Sequence, residues 1–73
     1  MSYILAHDAG TGGNKAVLVE PDGNVRATAF SPYQTHYPRP DWAEQNPEDW
    51  WRAVISTTRQ VMENSGVSPL DIL

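Results

Sequence analysis

Asp8-Ala9-Gly10-Thr11-Gly12-Gly13-Asn14-Lys15 lies between two apolar runs, Tyr3-Ile4-Leu5-Ala6 and Ala16-Val17-Leu18-Val19. A strand, a glycine turn and a returning strand make a hairpin. Three glycines in four positions predict positive φ and a backbone able to approach a ligand closely. Successive N–H groups in such a turn form a concavity suited to phosphate oxygens, to which Thr11 adds a hydroxyl and Lys15 a positive charge. Asp8 carries the opposite sign. A carboxylate beside a phosphate site repels the ligand unless a cation lies between them, so Asp8 reads as a Mg²⁺ partner, directly or through water. The stretch thus predicts binding of a Mg-nucleotide, against the plain alternative of a glycine turn that holds nothing. The Walker spacing and the Gly-x-Gly-x-x-Gly of dinucleotide folds are both absent, and a strand follows the glycines where those motifs have a helix.

Working outward, strands are expected over residues 2–8, 14–20 and 25–31, the last two joined by Pro21-Asp22-Gly23-Asn24. Proline suits the second position of a type I turn and glycine the left-handed position after it, so the three strands form an antiparallel meander. Alternation in the third strand sets Val25, Ala27 and Ala29 against Arg26, Thr28 and Phe30. Residues 32–46 read as an extended, irregular connection, because Pro32, Pro38 and Pro40 block regular pairing while Tyr33, Tyr37 and Trp42 pack it down. Trp42, beside Glu44 and Gln45, either lines a sugar cleft or fixes this loop. Asn46-Pro47-Glu48-Asp49 is a strong helix start, with a capping amide, a proline for the first turn and two acids at the positive end of the dipole. The helix is expected over residues 47–64. Its apolar stripe holds Trp50, Trp51, Val54, Ile55, Thr58, Val61 and Met62, and core packing is the reading for both tryptophans. Glu48 and Arg52 form an i,i+4 pair, Gly66 closes the helix, and Ser68-Pro69-Leu70-Asp71 makes one further turn.

The 73 residues leave room for one small domain. A formal net charge of -4 with a pI near 4.8 and scattered basic residues argues against a nucleic-acid or anionic-membrane surface. There is no cysteine, hence no disulfide framework or thiolate metal site. His7 and His36 are too far apart in sequence to suggest zinc, and His7 is expected on the strand face opposite its neighbours. No signal-peptide pattern or bilayer-length apolar run is seen, so a cytoplasmic location is expected.

Tyr3 to Lys15, with its Asp-x-Gly-Thr-x-x-x-Lys pattern, is followed at a set distance by Asp41-Trp42-Ala43-Glu44-Gln45-Asn46-Pro47-Glu48-Asp49-Trp50-Trp51. Together these resemble the N-terminus of the FGGY carbohydrate kinases, and most of all the xylulokinases. The first motif is shared across the actin, Hsp70 and sugar-kinase superfamily, while the second is more specific to the family. The resemblance covers essentially the whole chain but only the opening part of a family member, so residues 1–73 are expected to be an incomplete N-terminal kinase domain. It implies an α/β fold: a partial RNase-H-like lobe of the actin and hexokinase type, with a three-stranded antiparallel meander and one long amphipathic helix.

The resemblance further implies ATP and Mg²⁺ as cofactors and a small sugar or polyol, such as a xylulose-like ketose, as substrate. Asp8 matches the Mg-placing carboxylate. Gly10, Thr11, Gly12, Gly13 and Asn14 match the first phosphate loop, and Lys15 matches the basic residue beside the nucleotide phosphates. Gly12-Gly13-Asn14 departs from the family's hydroxyl-bearing residues there, leaving backbone amides as donors. No catalytic residue is expected in this chain, since the family's general base falls beyond Leu73, so the isolated chain is expected to be inactive and to self-associate through its exposed sheet. The alternatives are a piece of a non-kinase actin-like ATPase, which leaves the tryptophan motif without a reason, and a small free-standing binding module.

Overall fold

The computed structural model describes residues 2–39 and 42–73, and the side chains of all these except residues 37–39, 42 and 43. Strands β1 (Ile4–Ala9), β2 (Gly13–Val19) and β3 (Val25–Pro32) form an antiparallel sheet in that order. Helix α1 (Pro47–Ser65) packs against β2 and β3. The result is the three-stranded antiparallel meander with one long helix that the sequence predicts. After the helix, a short 3-10 turn (Pro69–Asp71) brings Ile72 into a parallel bridge with Tyr3. Backbone bonds from Tyr3 N to Asp71 O (2.7 Å) and from Leu73 N to Tyr3 O (2.9 Å) hold it there. The chain thus ends by starting a parallel strand on the free edge of β1.

The register decides which side chains face the helix. Asn14, Ala16 and Leu18 of β2 are buried on that side, opposite Ala9, His7 and Leu5 of β1. Ala29 and Ala27 of β3 stand opposite Ala16 and Leu18. Val61 of α1 completes the cluster with Ala16, Leu18 and Ala29, and Tyr3, Leu5, Val67 and Ile72 pack around it.

Val25 does not share the face of Ala27 and Ala29. The register slips between Leu18 and Val19, so that Val19 pairs with Val25 while Leu18 pairs with Ala27, and Arg26 is the extra residue. The bulge turns Val25, 59% exposed, onto the far face. Arg26 instead reaches the helix terminus, its Nη2 donating to Ser65 O at 3.1 Å, where a cation meets carbonyls without partners of their own.

The buried helix residues are Ala53, Thr57, Val61 and Ser65, one line at i,i+4 spacing. Trp50 and Trp51, read from the sequence as core, are 41% and 65% exposed. The reason is steric. The sheet presents alanines at Ala16 and Ala29, and the small Ala53 and Thr57 let the helix lie close to it, so an indole on that line would force the layers apart. At the helix start, Asn46 Oδ1 accepts from Glu48 N at 3.0 Å. At its end, Gly66 takes φ 69° and donates to Met62 O.

Residues 32–46, read as irregular, contain a second small sheet. Strands β4 (His36–Arg39) and β5 (Trp42–Glu44) pair antiparallel through His36 with Glu44 and Arg39 with Trp42. The register breaks between His36 and Arg39, the span that holds Pro38, so the missing proline donor falls in the gap between rungs. Asp41 and the Trp42 side chain, and with them the choice between sugar cleft and loop anchor for Trp42, lie outside the described residues.

The glycine turn does not use positive φ. Among the described residues only Gly23 and Gly66 do. Gly13 is required for space: a Cβ there would stand 2.5 Å from Phe30 Cζ, 2.5 Å from Ser31 O and 2.9 Å from Pro32 Cα. Gly12 has nothing within 4 Å of that position. Gly13→Ala is therefore expected to destabilise the chain by about 1–3 kcal/mol, since backbone of β3 must move. Gly12→Ala is expected to stay within about 0.5 kcal/mol of the parent. Urea denaturation of the two variants checks the difference, and equal midpoints would mean that the β2–β3 approach is not tight.

Candidate functional site

The hairpin tip carries the residues singled out from the sequence, and the fold sends them in three directions. Asp8 and Lys15 are directly opposite each other across β1 and β2, with Phe30 next in line on β3. Cross-strand partners share a face with Cβ atoms about 4.5–5.5 Å apart, so carboxylate and ammonium stand side by side on the face away from the helix. They form no ion pair within 4.0 Å among the described residues, where the salt bridges are Arg26–Glu20 and Arg52–Glu48. Both heads are exposed.

Gly10 and Thr11 line a shallow depression of about 300 Å³, together with Ala9, Tyr33, Gln45 and Trp50. Three successive loop carbonyls are occupied on this side. The Tyr33 hydroxyl donates to Gly10 O. Gln45 Nε2 donates to Thr11 O at 2.7 Å, and Tyr33 N donates to Gly12 O at 3.3 Å. Gly10 N closes the turn on Gly13 O at 2.9 Å. Among the described residues, no acceptor takes the N–H of Thr11 or of Gly12.

Asn14 points into the protein, while Gly13, its neighbour in β2, falls on the face of Lys15 and Phe30. Asn14 is fully buried and its Nδ2 spends both hydrogens, one on His7 Nδ1 (2.9 Å) and one on Thr57 Oγ1 (3.0 Å). Thr57 in turn donates to Ala53 O, and Thr58 to Val54 O. The Thr58 hydroxyl, its hydrogen used, accepts from His7 Nε2 at 3.2 Å, which assigns His7 the Nε2–H tautomer. Asn14 Oδ1 is buried with no partner among the described residues. The Asn14 side chain is therefore committed to the helix and is not a donor at the loop surface, because its strand position faces α1.

Tyr33, Thr35 and Gln45 were not predicted to touch the loop. Tyr33 reaches it as the residue after the last rung of β2 with β3, and Gln45 through the hairpin of β4 and β5. No periodicity in this proline-rich stretch marks either of them.

Residues 3–73 match the N-terminal domain of the FGGY family of carbohydrate kinases. The glycerol kinase of Nitrobacter hamburgensis is 36% identical over 72 residues, covering 99% of this chain and 14% of that protein. Glycerol kinase 1 of Thermotoga maritima is 38% identical over 72 residues, again with 14% of its length covered. Among solved structures, one described as a xyloylose kinase from Brucella ovis superposes with a TM-score of 0.82 at 30% identity, over 84% of this chain and 13% of that one. The chain thus spans about one seventh of the length of these relatives. With the match running from Tyr3 to Leu73, this chain belongs to the FGGY family of carbohydrate kinases.

Proposed function

We propose that the full-length protein transfers the γ-phosphoryl group of ATP to a hydroxyl of a small sugar or polyol, and that this chain supplies its first phosphate loop. The observation that carries the reading is the hairpin tip, where the N–H groups of Thr11 and Gly12 have no acceptor among the described residues and a Cβ on Gly12 would meet open space. A phosphate oxygen fits that description. Lys15 would place its ammonium against the same phosphates, and Gly10, Thr11, Gly12, Gly13 and Asn14 would provide the backbone of the cradle. Gly13 and Asn14 support it, the first by admitting β3 and the second by tying β2 to the helix.

Asp8 fits a Mg²⁺ role by its isolation. Among the described residues no group of three or more His, Cys, Asp or Glu gathers around a possible metal. Mg²⁺ in phosphoryl-transfer sites takes one or two carboxylates and fills its remaining positions with phosphate oxygens and water, so a single exposed aspartate beside a phosphate loop is an adequate protein share. When bound, the metal would neutralise charge on the nucleotide phosphates. Asp8 would orient it, and Lys15, its cross-strand neighbour, would hold the phosphates from the other side.

A xylulose-like ketose is the first acceptor to test, supported by the Trp42-Ala43-Glu44-Gln45 motif and by the likeness to the xyloylose kinase. Glycerol is the second, supported by the glycerol kinases among the relatives. The test is ATP turnover by the full-length gene product with a panel of ketoses and polyols. Stimulation by one of them is expected, and none would overturn the kinase reading. Lys15→Met and Asp8→Asn are each expected to lower kcat/KM for Mg-ATP by about 10²-fold or more, as removal of one charge-stabilising group does in electrostatic catalysis. Unchanged values for both would remove the hairpin from the nucleotide site. Gly12→Ala, tolerated by the fold, is expected to weaken nucleotide binding through the methyl it places where the phosphate would come.

The chain alone is expected to phosphorylate nothing, because a transfer needs a general base, which the family resemblance implies lies beyond Leu73. It is also expected to self-associate. Ile4 (54% exposed), Val25 and Phe30 (56% exposed) give the sheet an apolar far face. Light scattering on the 73-residue chain checks this, and a monodisperse 8.1 kDa species would count against it.

A further inference from the structure

We infer that Gln45 is a positioning residue for the phosphate loop: its side-chain amide, oriented by Trp50, fixes the peptide planes that aim the Thr11 and Gly12 amides at the nucleotide. The inference rests on the proposed role of residues 10–14 and adds to it the device that sets their pose.

The Gln45 amide is engaged at both its nitrogen and its oxygen, which fixes its orientation. Its Nε2 donates to Thr11 O at 2.7 Å and to Thr35 Oγ1 at 2.8 Å, while its Oε1 accepts from the Trp50 indole N–H at 3.0 Å. A flipped amide would set donor against donor at the indole and oxygen against oxygen at Thr11. Trp50 thus selects one orientation, and in that orientation only N–H groups face the loop. Thr35 Oγ1 also approaches Thr11 O, at 3.5 Å, so the carbonyl is approached from two sides of the same segment.

The consequence follows from peptide geometry. In a planar trans peptide, the C=O of one residue and the N–H of the next point in opposite directions. No described peptide bond is cis. Holding Gly10 O with the Tyr33 hydroxyl turns the Thr11 N–H away from Tyr33, and holding Thr11 O with Gln45 turns the Gly12 N–H away from Gln45. These are the two amides with no acceptor among the described residues. Glycine at position 12 leaves the loop soft, with nothing within 4 Å of a Cβ site, so no side chain of its own restricts it. The restriction comes from Gln45 and Tyr33 across 34 and 23 residues of sequence. Gln45 thereby has a role that neither charge nor direct ligand contact requires of it.

The test uses the full-length gene product with Gln45→Met, which keeps the length and loses both donors, Gln45→Glu, which keeps the acceptor for Trp50 and sets a carboxylate against Thr11 O, and Trp50→Phe, which removes only the orienting N–H. Amide hydrogen exchange over residues 9–14 is expected to rise about tenfold in both Gln45 variants and less in Trp50→Phe, with the helix segment 53–61 unchanged. KM for Mg-ATP is expected to rise about five- to tenfold, the scale of one net hydrogen bond, with KM for the sugar or polyol unchanged. Unchanged exchange over residues 9–14, or a kinetic effect confined to the acceptor KM, would overturn the inference. Absence of phosphorylation in the parent protein would sink the kinase reading instead, and the exchange comparison would still decide whether Gln45 sets the loop.

Discussion

The close approach of helix to sheet is the constraint on which the rest depends. Ala16 and Ala29 on the sheet, and Ala53 and Thr57 on the helix, are small enough to let α1 lie near β2 and β3, with Leu18 and Val61 filling the wider end. Close packing of this kind is sensitive to a single methylene, so the helix has little freedom to slide or roll. Its first turn is thereby delivered beside the hairpin tip. Trp50 stands in that turn, its indole holds Gln45, and Gln45 holds Thr11. Packing in the core is transmitted to the loop backbone through two side chains.

A polar seam fixes the rotation of the helix as the alanines fix its distance. Asn14, His7, Thr57 and Thr58 bond to one another across the layer, and the two threonines return their hydrogens to carbonyls one turn back in the helix. Buried donors that lose a partner are costly, so a helix rolled by one residue would forfeit the Asn14–Thr57 bond in a place water does not reach. The unpaired Asn14 Oδ1 shows that the seam was not arranged for hydrogen bonding at its maximum. Its donors, which reach from β2 to both β1 and α1, are what the site uses. The same four residues lie under the base of the loop, so the polar seam also ties the hairpin tip to the sheet below it.

The sheet, the helix start and the glycine turn were legible because each is written in adjacent residues. Asn46-Pro47 caps, Pro21-Asp22-Gly23 turns, and two short apolar runs flank the glycine turn as the strands of a hairpin do. What escaped was set by distant partners. Trp50 and Trp51 fall on a helical apolar stripe, but only Ala16 and Ala29, distant in sequence, decide that small side chains line the contact. The bulge at Arg26 shifts one rung, and a one-residue slip moves every side chain beyond it to the other face. Gly13 looked like a residue chosen for φ and is one chosen for the nearness of Phe30 and Ser31. Gln45 stands within the family motif, yet its contact with Thr11 joins residues 34 apart through a hairpin that prolines disguise.

Asp8 and Lys15 complete the logic from the other face. The helix side of the sheet carries the packing and the polar seam, so groups meant for a ligand belong on the far face, where alternation sends Asp8, Lys15 and Phe30. An unpaired carboxylate and ammonium at neighbouring strand positions ordinarily attract each other, and an exposed pair of that kind contributes little to stability. Keeping them apart therefore costs the fold little. It leaves each charge free to engage a partner of its own, the ammonium an anion and the carboxylate a cation. A loop whose amides face outward supplies a third contact for the same ligand, and a Mg-nucleotide is the species that carries both signs of charge within reach of all three.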